Sequence, residues 1–153
     1  MSSLLVQACS KSKNEPGEAI PALELYSGYF FNIIKKSMRE ELFDEEMDIC
    51  ILSAEHGLIE SDTKIEWYDN RMNAERAVEL APRVQTQLRE TVSETYDEVI
   101  INVGGTYRLA LEGISDAVDA KVYYIEGEGI GHKGHILKRV VRGEREPLTE
   151  API

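Results

Sequence analysis

Apolar and polar positions alternate in blocks along this chain. Leu4-Leu5-Val6-Gln7-Ala8-Cys9 is a short apolar run that gives way to a polar, turn-forming stretch over 10–17, the pattern of a strand feeding a loop. From Pro21 onward, Leu25, Tyr29 and Ile33, with Phe30 and Ile34 beside them, recur at three- and four-residue intervals. That spacing predicts a helix, ending in charge near Glu45. Residues 48–53 read as a second strand, closing on the small and polar residues Ser53-Ala54-Glu55-His56-Gly57. The stretch 61–70 is irregular and carries Trp67. Over about 73–95, Ala77, Leu80, Ala81, Val84, Leu88 and Val92 fall on one helical face, and Pro82 should bend or split that helix. Residues 98–103 predict a third strand running into Gly104-Gly105-Thr106, followed by a short helix over 107–111. A fourth strand over 121–125 ends in a glycine-rich loop over 127–134, and a last amphipathic helix covers about 136–142.

This strand–loop–helix alternation repeats four times with no hairpin signal between strands. It predicts a single, three-layer-like α/β domain over 1–143, with a mostly parallel sheet of about four to five strands flanked by helices. Residues 144–153 read as a loose C-terminal tail. In such sheets ligands bind beyond the carboxyl ends of the strands, so strand-end residues carry the functional expectation.

Composition narrows the classes. The 153 residues are 42% hydrophobic and 29% charged, the balance of a globular domain rather than a disordered chain. No apolar run approaches the roughly 20 residues of a membrane span, and the N-terminus lacks a signal-peptide pattern, so a cytoplasmic protein without a membrane partner is expected. Two cysteines, Cys9 and Cys50, fit a reducing compartment; no zinc-ligand spacing occurs, and no metal or cofactor is implied. The net charge of −11 argues against a nonspecific polyanion binder, whose footprint is a basic face. The charge is uneven, however. From His132 to Arg145 there are five basic residues, Lys133, Lys138, Arg139, Arg142 and Arg145, against one acid, Glu144: a local basic patch able to grip a phosphate.

Four strand-end segments are expected to converge on one rim. Cys9-Ser10-Lys11-Ser12-Lys13 combines hydroxyls, backbone donors and two ammonium groups, suited to an anion or to a lysine-rich solvated turn. Ser53-Ala54-Glu55-His56-Gly57 sets an acid and an imidazole beside a glycine turn, where His56 is either a proton-transfer group or a surface cap. Gly104, Gly105 and Tyr107 open a strand-to-helix turn free of bulk, where backbone N–H groups can approach a phosphate or simply close a tight turn. The loop containing Gly127, Gly129, Gly131, Lys133 and Gly134 has the logic of a phosphate cradle, without the spacing of either common nucleotide-binding motif. Gly129 and Gly131 are expected to take conformations, or approach a ligand, in ways that a β-carbon would obstruct.

The order of these pieces carries a resemblance. Ser10-x-x-Lys13 after the first strand, then Leu52-Ser53-x-x-x-Gly57-Leu58 with Tyr68 downstream, resembles the peroxide-stress YaaA superfamily. Ala8–Lys13, Leu25-Tyr26, Leu52–Leu58 and Gly129-Ile130-Gly131 are similar to small YaaA-like relatives carried by phages, bacteria and archaea. A Cys-Ser-x-x-Lys segment with a later Ser-x-x-Gly-Leu turn is also similar to a domain of the archaeosine synthases. The resemblance implies a ligand class, a nucleobase, nucleotide or nucleic acid, rather than one reaction. On it the chain is expected to handle a nucleobase or nucleotide, free or within DNA or RNA, as an enzyme of base modification or repair. The alternatives are a noncatalytic nucleic-acid or nucleotide-binding stress or defence factor, and a scaffolding domain. Candidate catalytic groups are Lys13, Glu55, His56 and Cys9, the thiol acidified by Lys11 or Lys13. Candidate ligand-binding residues are Ser10, Ser53, Gly57, Tyr68, Gly104, Gly105, Tyr107, Gly129, Gly131 and Lys133.

Overall fold

The structure, a computed structural model, describes residues 2–93 and 95–150, residue 150 by its backbone only. In chain order its elements are β1 (Ser3–Ala8), β2 (Ile20–Pro21), α1 (Ala22–Leu25), α2 (Tyr29–Arg39), β3 (Met47–Ser53), β4 (Gly57–Glu60) and β5 (Lys64–Ile65). They continue with α3 (Ala74–Val92), β6 (Glu98–Asn102), a 3-10 helix (Gly105–Leu111), α4 (Ile114–Ala117), β7 (Lys121–Tyr124), α5 (Ile130–Val141) and β8 (Thr149–Glu150). The main sheet has the order β4-β3-β1-β6-β7-β8. β3, β1, β6 and β7 are mutually parallel, with Leu5 paired to Ile49 on one side and to Ile100 on the other. This is the mostly parallel α/β sheet that the strand–loop–helix alternation predicts.

The two faces of the sheet follow from the two-residue period of a strand. Leu4, Val6, Val99 and Ile101 pack with Leu80, Val84 and Leu88 of α3 and with the 3-10 helix. Leu5, Ile49, Ile51 and Ile100 pack the other way, against Phe31 and Ile34 of α2 and Leu137 and Val140 of α5. Both faces are covered, which is why the central strands read as continuous apolar runs rather than alternating ones.

Several expectations change. The predicted helix from Pro21 is interrupted: Tyr26 leaves helical geometry, and α2 begins at Tyr29. The cause is tertiary, because the loop after β1 is laced to this segment, with Asn14 N–H donating to Leu25 O at 2.8 Å and Ser27 N–H to Ser12 O at 3.0 Å. A hairpin does occur: β4 pairs antiparallel with β3 across the turn of residues 54–56. Residues 64–65, within the stretch read as irregular, pair with β2. Pro82 leaves α3 a single helix from Ala74 to Val92, capped by Asn73 Oδ1, which accepts from Arg76 N–H at 2.8 Å.

The tail expected to be loose is tied down over its described part. Arg145 donates from Nη2 to Ser3 Oγ and to Asp44 Oδ2, both at 3.1 Å, and from Nε to the buried Glu98 carboxylate. Beyond it, β8 adds an antiparallel edge to β7. Residues 151–153 lie outside the described part of the chain.

Candidate functional site

The parallel strands end on one rim, and the chain leaves that rim in different directions. After β1 it turns toward β3 by way of α2, whereas β6 is followed by the 3-10 helix on the opposite face, leading to β7. The neighbours β1 and β6 therefore flank a topological switch point, where diverging loops leave a crevice. A cleft of about 580 Å³ opens there.

Its floor is the end of β1, Gln7-Ala8-Cys9, and the end of β6, Asn102. Gln7 and Asn102 are 1% and 2% exposed, and Asn102 Nδ2 donates to Gln7 Oε1 at 2.8 Å. Two carboxamides side by side carry both donors and acceptors, and this pairing lets them sit in an otherwise apolar sheet. One wall is Tyr29, Phe30 and Phe31; the other is Gly104 and Tyr107. Cys9 Sγ and Tyr107 Oη share a hydrogen bond of 3.0 Å. Burial, then the neighbouring Cys9, raises the Tyr107 phenol, so its hydroxyl stays protonated at neutral pH.

The remaining edge is Gly127, Glu128, Gly129, Ile130 and Lys133. Here the prediction of a loop through residue 134 is corrected: α5 starts at Ile130, so Gly131 and Gly134 are helical residues. Gly134 is required by close approach, since a β-carbon there would sit 2.5 Å from the Tyr29 ring. Gly129 and Gly131 do not show the expected obstruction. Gly129 caps α5 in extended geometry, and a β-carbon on either residue meets nothing within 4 Å. Gly131 also lies outside the cleft, in a groove between α2 and α5. The N-terminus of α5 brings its unpaired N–H groups to the cleft edge, and Lys133 adds a full positive charge. The Lys133 amine lies 3.4 Å from where a Gly104 β-carbon would be, which places it over the bare strand-to-helix turn. That turn offers fewer free donors than expected, because Tyr107 N–H is already given to Gly104 O at 3.1 Å. Gly105 takes φ +49° in the left-handed region.

Most of the other nominated residues sit on the β3 side of β1. Tyr26 Oη and Tyr68 Oη are 2.6 Å apart, and Tyr68 Oη is 2.9 Å from Ser53 Oγ, all buried. Ser53 Oγ also accepts from Glu55 N–H at 3.2 Å and His56 N–H at 3.1 Å, so this serine closes the β3–β4 turn rather than facing a ligand. Gly57 completes the turn with φ +76° and the Arg83 guanidinium packed against its α-carbon. Lys13 donates to Lys11 O at 3.3 Å and holds its amine 4.6 Å from the centre of the Tyr68 ring, a cation–π contact. His56 stands edge-on to Tyr68 with Nε2 buried and unpartnered, beside a shallow groove lined by Glu55, Lys64 and Trp67. Burial is the main cause that pushes the Tyr26 phenol up to about 12, and it raises Tyr68 as well. Ser10 joins the two halves: it lines the cleft, and its Oγ donates to Ser12 O at 2.6 Å and accepts from Gly28 N–H at 3.2 Å.

Among the four candidate catalytic side chains, Cys9 alone lines the cleft. Gln7, Tyr29 and Asn102 were missed by the sequence reading. Their signal was present in Gln7 and Asn102, polar residues at the ends of apolar strands.

The comparisons with known proteins bear on the family and the fold. A family model described as "Family of unknown function (DUF6884)" matches residues 4–139, nearly the whole described fold. The chain belongs to this family. The matched span includes both strand ends that form the cleft floor and the start of α5, and it stops before Arg145. No curated protein matches the chain. Among solved structures, the crystal structure of AF0587, a protein of unknown function, is similar in fold, with a TM-score of 0.57 at 14% identity. The alignment covers 94% of this chain and 45% of AF0587, so the chain spans less than half of that neighbour's length. No helix among the described residues is long and apolar enough to cross a membrane.

Proposed function

We propose that the cleft between β1 and β6 binds a nucleobase or nucleotide. The observation that carries this reading is the meeting, in one crevice, of aromatic walls, a carboxamide floor and an edge where Lys133 and the N-terminus of α5 stand beside Glu128. Tyr29, Phe30 and Tyr107 supply flat apolar surface of the kind a base covers. Gln7 and Asn102 give the floor its polar character, and beyond their mutual bond and the Gln7 Nε2–Ala8 O bond the Asn102 Oδ1 acceptor remains for a base edge. Lys133 and the α5 N-terminus favour a phosphate. A chemical step on the ligand would run through Cys9, whose sulfur lies on the cleft floor beside the Tyr107 hydroxyl. Lys13, Glu55 and His56 act on the fold around Tyr68 instead.

The test is protection of one thiol against the other. Cys9 is half-buried at the cleft, while Cys50 is buried in the sheet and its thiol is pushed up to about 12, chiefly by burial. Iodoacetamide should alkylate Cys9 and spare Cys50, and saturating nucleoside monophosphates should slow the Cys9 reaction, with calorimetry giving the matching affinity. Neither protection nor heat from any of the common nucleosides and nucleotides would end this reading.

A further inference from the structure

α2 and α5 run side by side on one face. Tyr29 packs on Gly134 at one end, and Arg142 Nε donates to Ser37 Oγ at 3.2 Å at the other. The chain has 28 acids, and neither helix contains one; together they carry Lys35, Lys36, Arg39, Lys133, Lys138 and Arg139. α3, on the opposite face, balances Glu75, Glu79 and Glu90 against Arg76, Arg83 and Arg89. Some of the α2–α5 cations are engaged. Lys35 donates to Tyr26 O at 2.6 Å, Arg139 pairs with Glu144 at 3.1 Å, and Arg142 pairs with Glu40 at 3.3 Å. Lys36, Lys133 and Lys138 have no carboxylate partner among the described residues.

Lys36, Ser37, His135, Lys138 and Arg142 line a groove of about 300 Å³ between the two helices. Tyr29 lines both this groove and the cleft, so a single half-exposed ring, 48% accessible, is the partition between them. We infer that the groove carries the phosphodiester backbone of a single-stranded nucleic acid whose base occupies the cleft. The inference rests on the reading of the cleft as a base site and specifies its substrate as a strand rather than a free nucleotide. Three observations favour a single strand. The half-exposed Tyr29 ring offers a stacking platform of the kind that takes the bases of a single strand. A base reaches the cleft only when it is out of a duplex stack. The cations form a track leading away from the cleft, whereas a lone phosphate would be met by Lys133 and α5 alone. With a net charge of −11, the rest of the molecule repels a polyanion, which directs contact to the two helices that hold no acid of their own.

The experiment compares the parent chain with a Lys36→Glu/Lys138→Glu double variant, whose fold is checked by circular dichroism. The probes are a labelled oligouridylate with uridine monophosphate and a labelled oligothymidylate with thymidine monophosphate, each over a series of salt concentrations. In the variant, oligonucleotide affinity should fall at least tenfold while mononucleotide affinity holds. The slope of log affinity on log salt should shrink by about 1.4, at roughly 0.7 per lost phosphate contact on a single strand. The stronger of the two pairs identifies RNA or DNA. Oligonucleotide binding that is indifferent to the double substitution overturns the inference. So does polyglutamate or an anionic vesicle competing as well as the oligonucleotide, or a mononucleotide failing to compete with it. A parent chain that binds mononucleotides but no oligonucleotide loses only this inference; one that binds neither loses this inference, and the base site as well once the other common nucleotides also fail to bind.

Discussion

Two halves of one rim, on either side of β1, show how differently the same kind of strand end can be used. On the β6 side the loops diverge and leave an open cleft with Cys9, Gln7, Asn102 and Lys133 around it. On the β3 side Tyr26, Tyr68 and Ser53 fill the space with their own hydroxyls, and Lys13 closes over the Tyr68 ring. The motif-rich segments, Ser10-x-x-Lys13 and the Ser53–Gly57 turn, belong mainly to the filled half. Short polar motifs mark where the chain laces to itself as readily as where it meets a ligand. The order of the strands, rather than the density of motifs, identifies the open half.

The comparison breaks most visibly if the filled half proves dispensable. Tyr26 is fully buried and stacks on Phe31 at 5.1 Å, so Tyr26→Ala should cost about 3–5 kcal/mol in urea unfolding. A loss under about 1 kcal/mol would mean that the hydroxyl cluster is not structural. Alkaline pH probes the same half. A phenol ionises near 10 in the unfolded chain, whereas burial holds the Tyr26 proton to about 12 in the fold. The folded state therefore binds the proton more tightly. This stabilisation is complete below pH 10 and is lost as pH rises through about 12, a decline on the order of 2–3 kcal/mol. Tyrosinate absorbance and unfolding midpoints measured together should show the phenol ionising as stability falls, and a flat midpoint across that window would contradict the burial argument.

Two substitutions then separate the halves directly. Lys133→Ala should weaken nucleotide binding about tenfold, or about 1.4 kcal/mol, with stability changed by no more than roughly 0.5 kcal/mol. Tyr68→Phe, which removes the hydroxyl shared with Tyr26 and Ser53, should do the converse, costing about 1 kcal/mol of stability with nucleotide affinity intact. Reversed results would move the ligand to the β3 side. The smallest effect is expected from Gly131→Ala. Its β-carbon meets nothing within 4 Å, and alanine favours a helix, so stability should rise by roughly 0.5–1 kcal/mol while cleft binding is unchanged. A loss of mononucleotide binding would return Gly131 to the cleft.

The four parallel strands were legible because strands covered on both faces read as unbroken apolar runs, and their shared carboxyl rim followed from the alternation with helices. What escaped the sequence reading depends on tertiary partners. β4 is four residues behind a polar turn, and β8 exists only by pairing with Tyr123 and Tyr124. The break at Tyr26 is imposed by the loop after β1. α5 starts earlier than its glycines suggest, with Gly131 and Gly134 inside it and Gly134 set against the Tyr29 ring. For the site, charge and glycine content pointed to the rim where the cleft opens. The floor was missed because Gln7 and Asn102 show their importance only once β1 and β6 are seen to be neighbours.

The Arg145 clamp has a consequence for how the molecule is made. Its partners Ser3, Asp44 and Glu98 are all synthesised earlier, and Glu98 is 4% exposed. A buried carboxylate left without its cation costs about 3–5 kcal/mol, a large share of what an ordinary domain has in reserve. A nascent chain that has already threaded β1 between β3 and β6 thus stays incompletely locked until residue 145 clears the ribosome. Closure at the base of the fold waits on Arg145 rather than on the four parallel strands it secures.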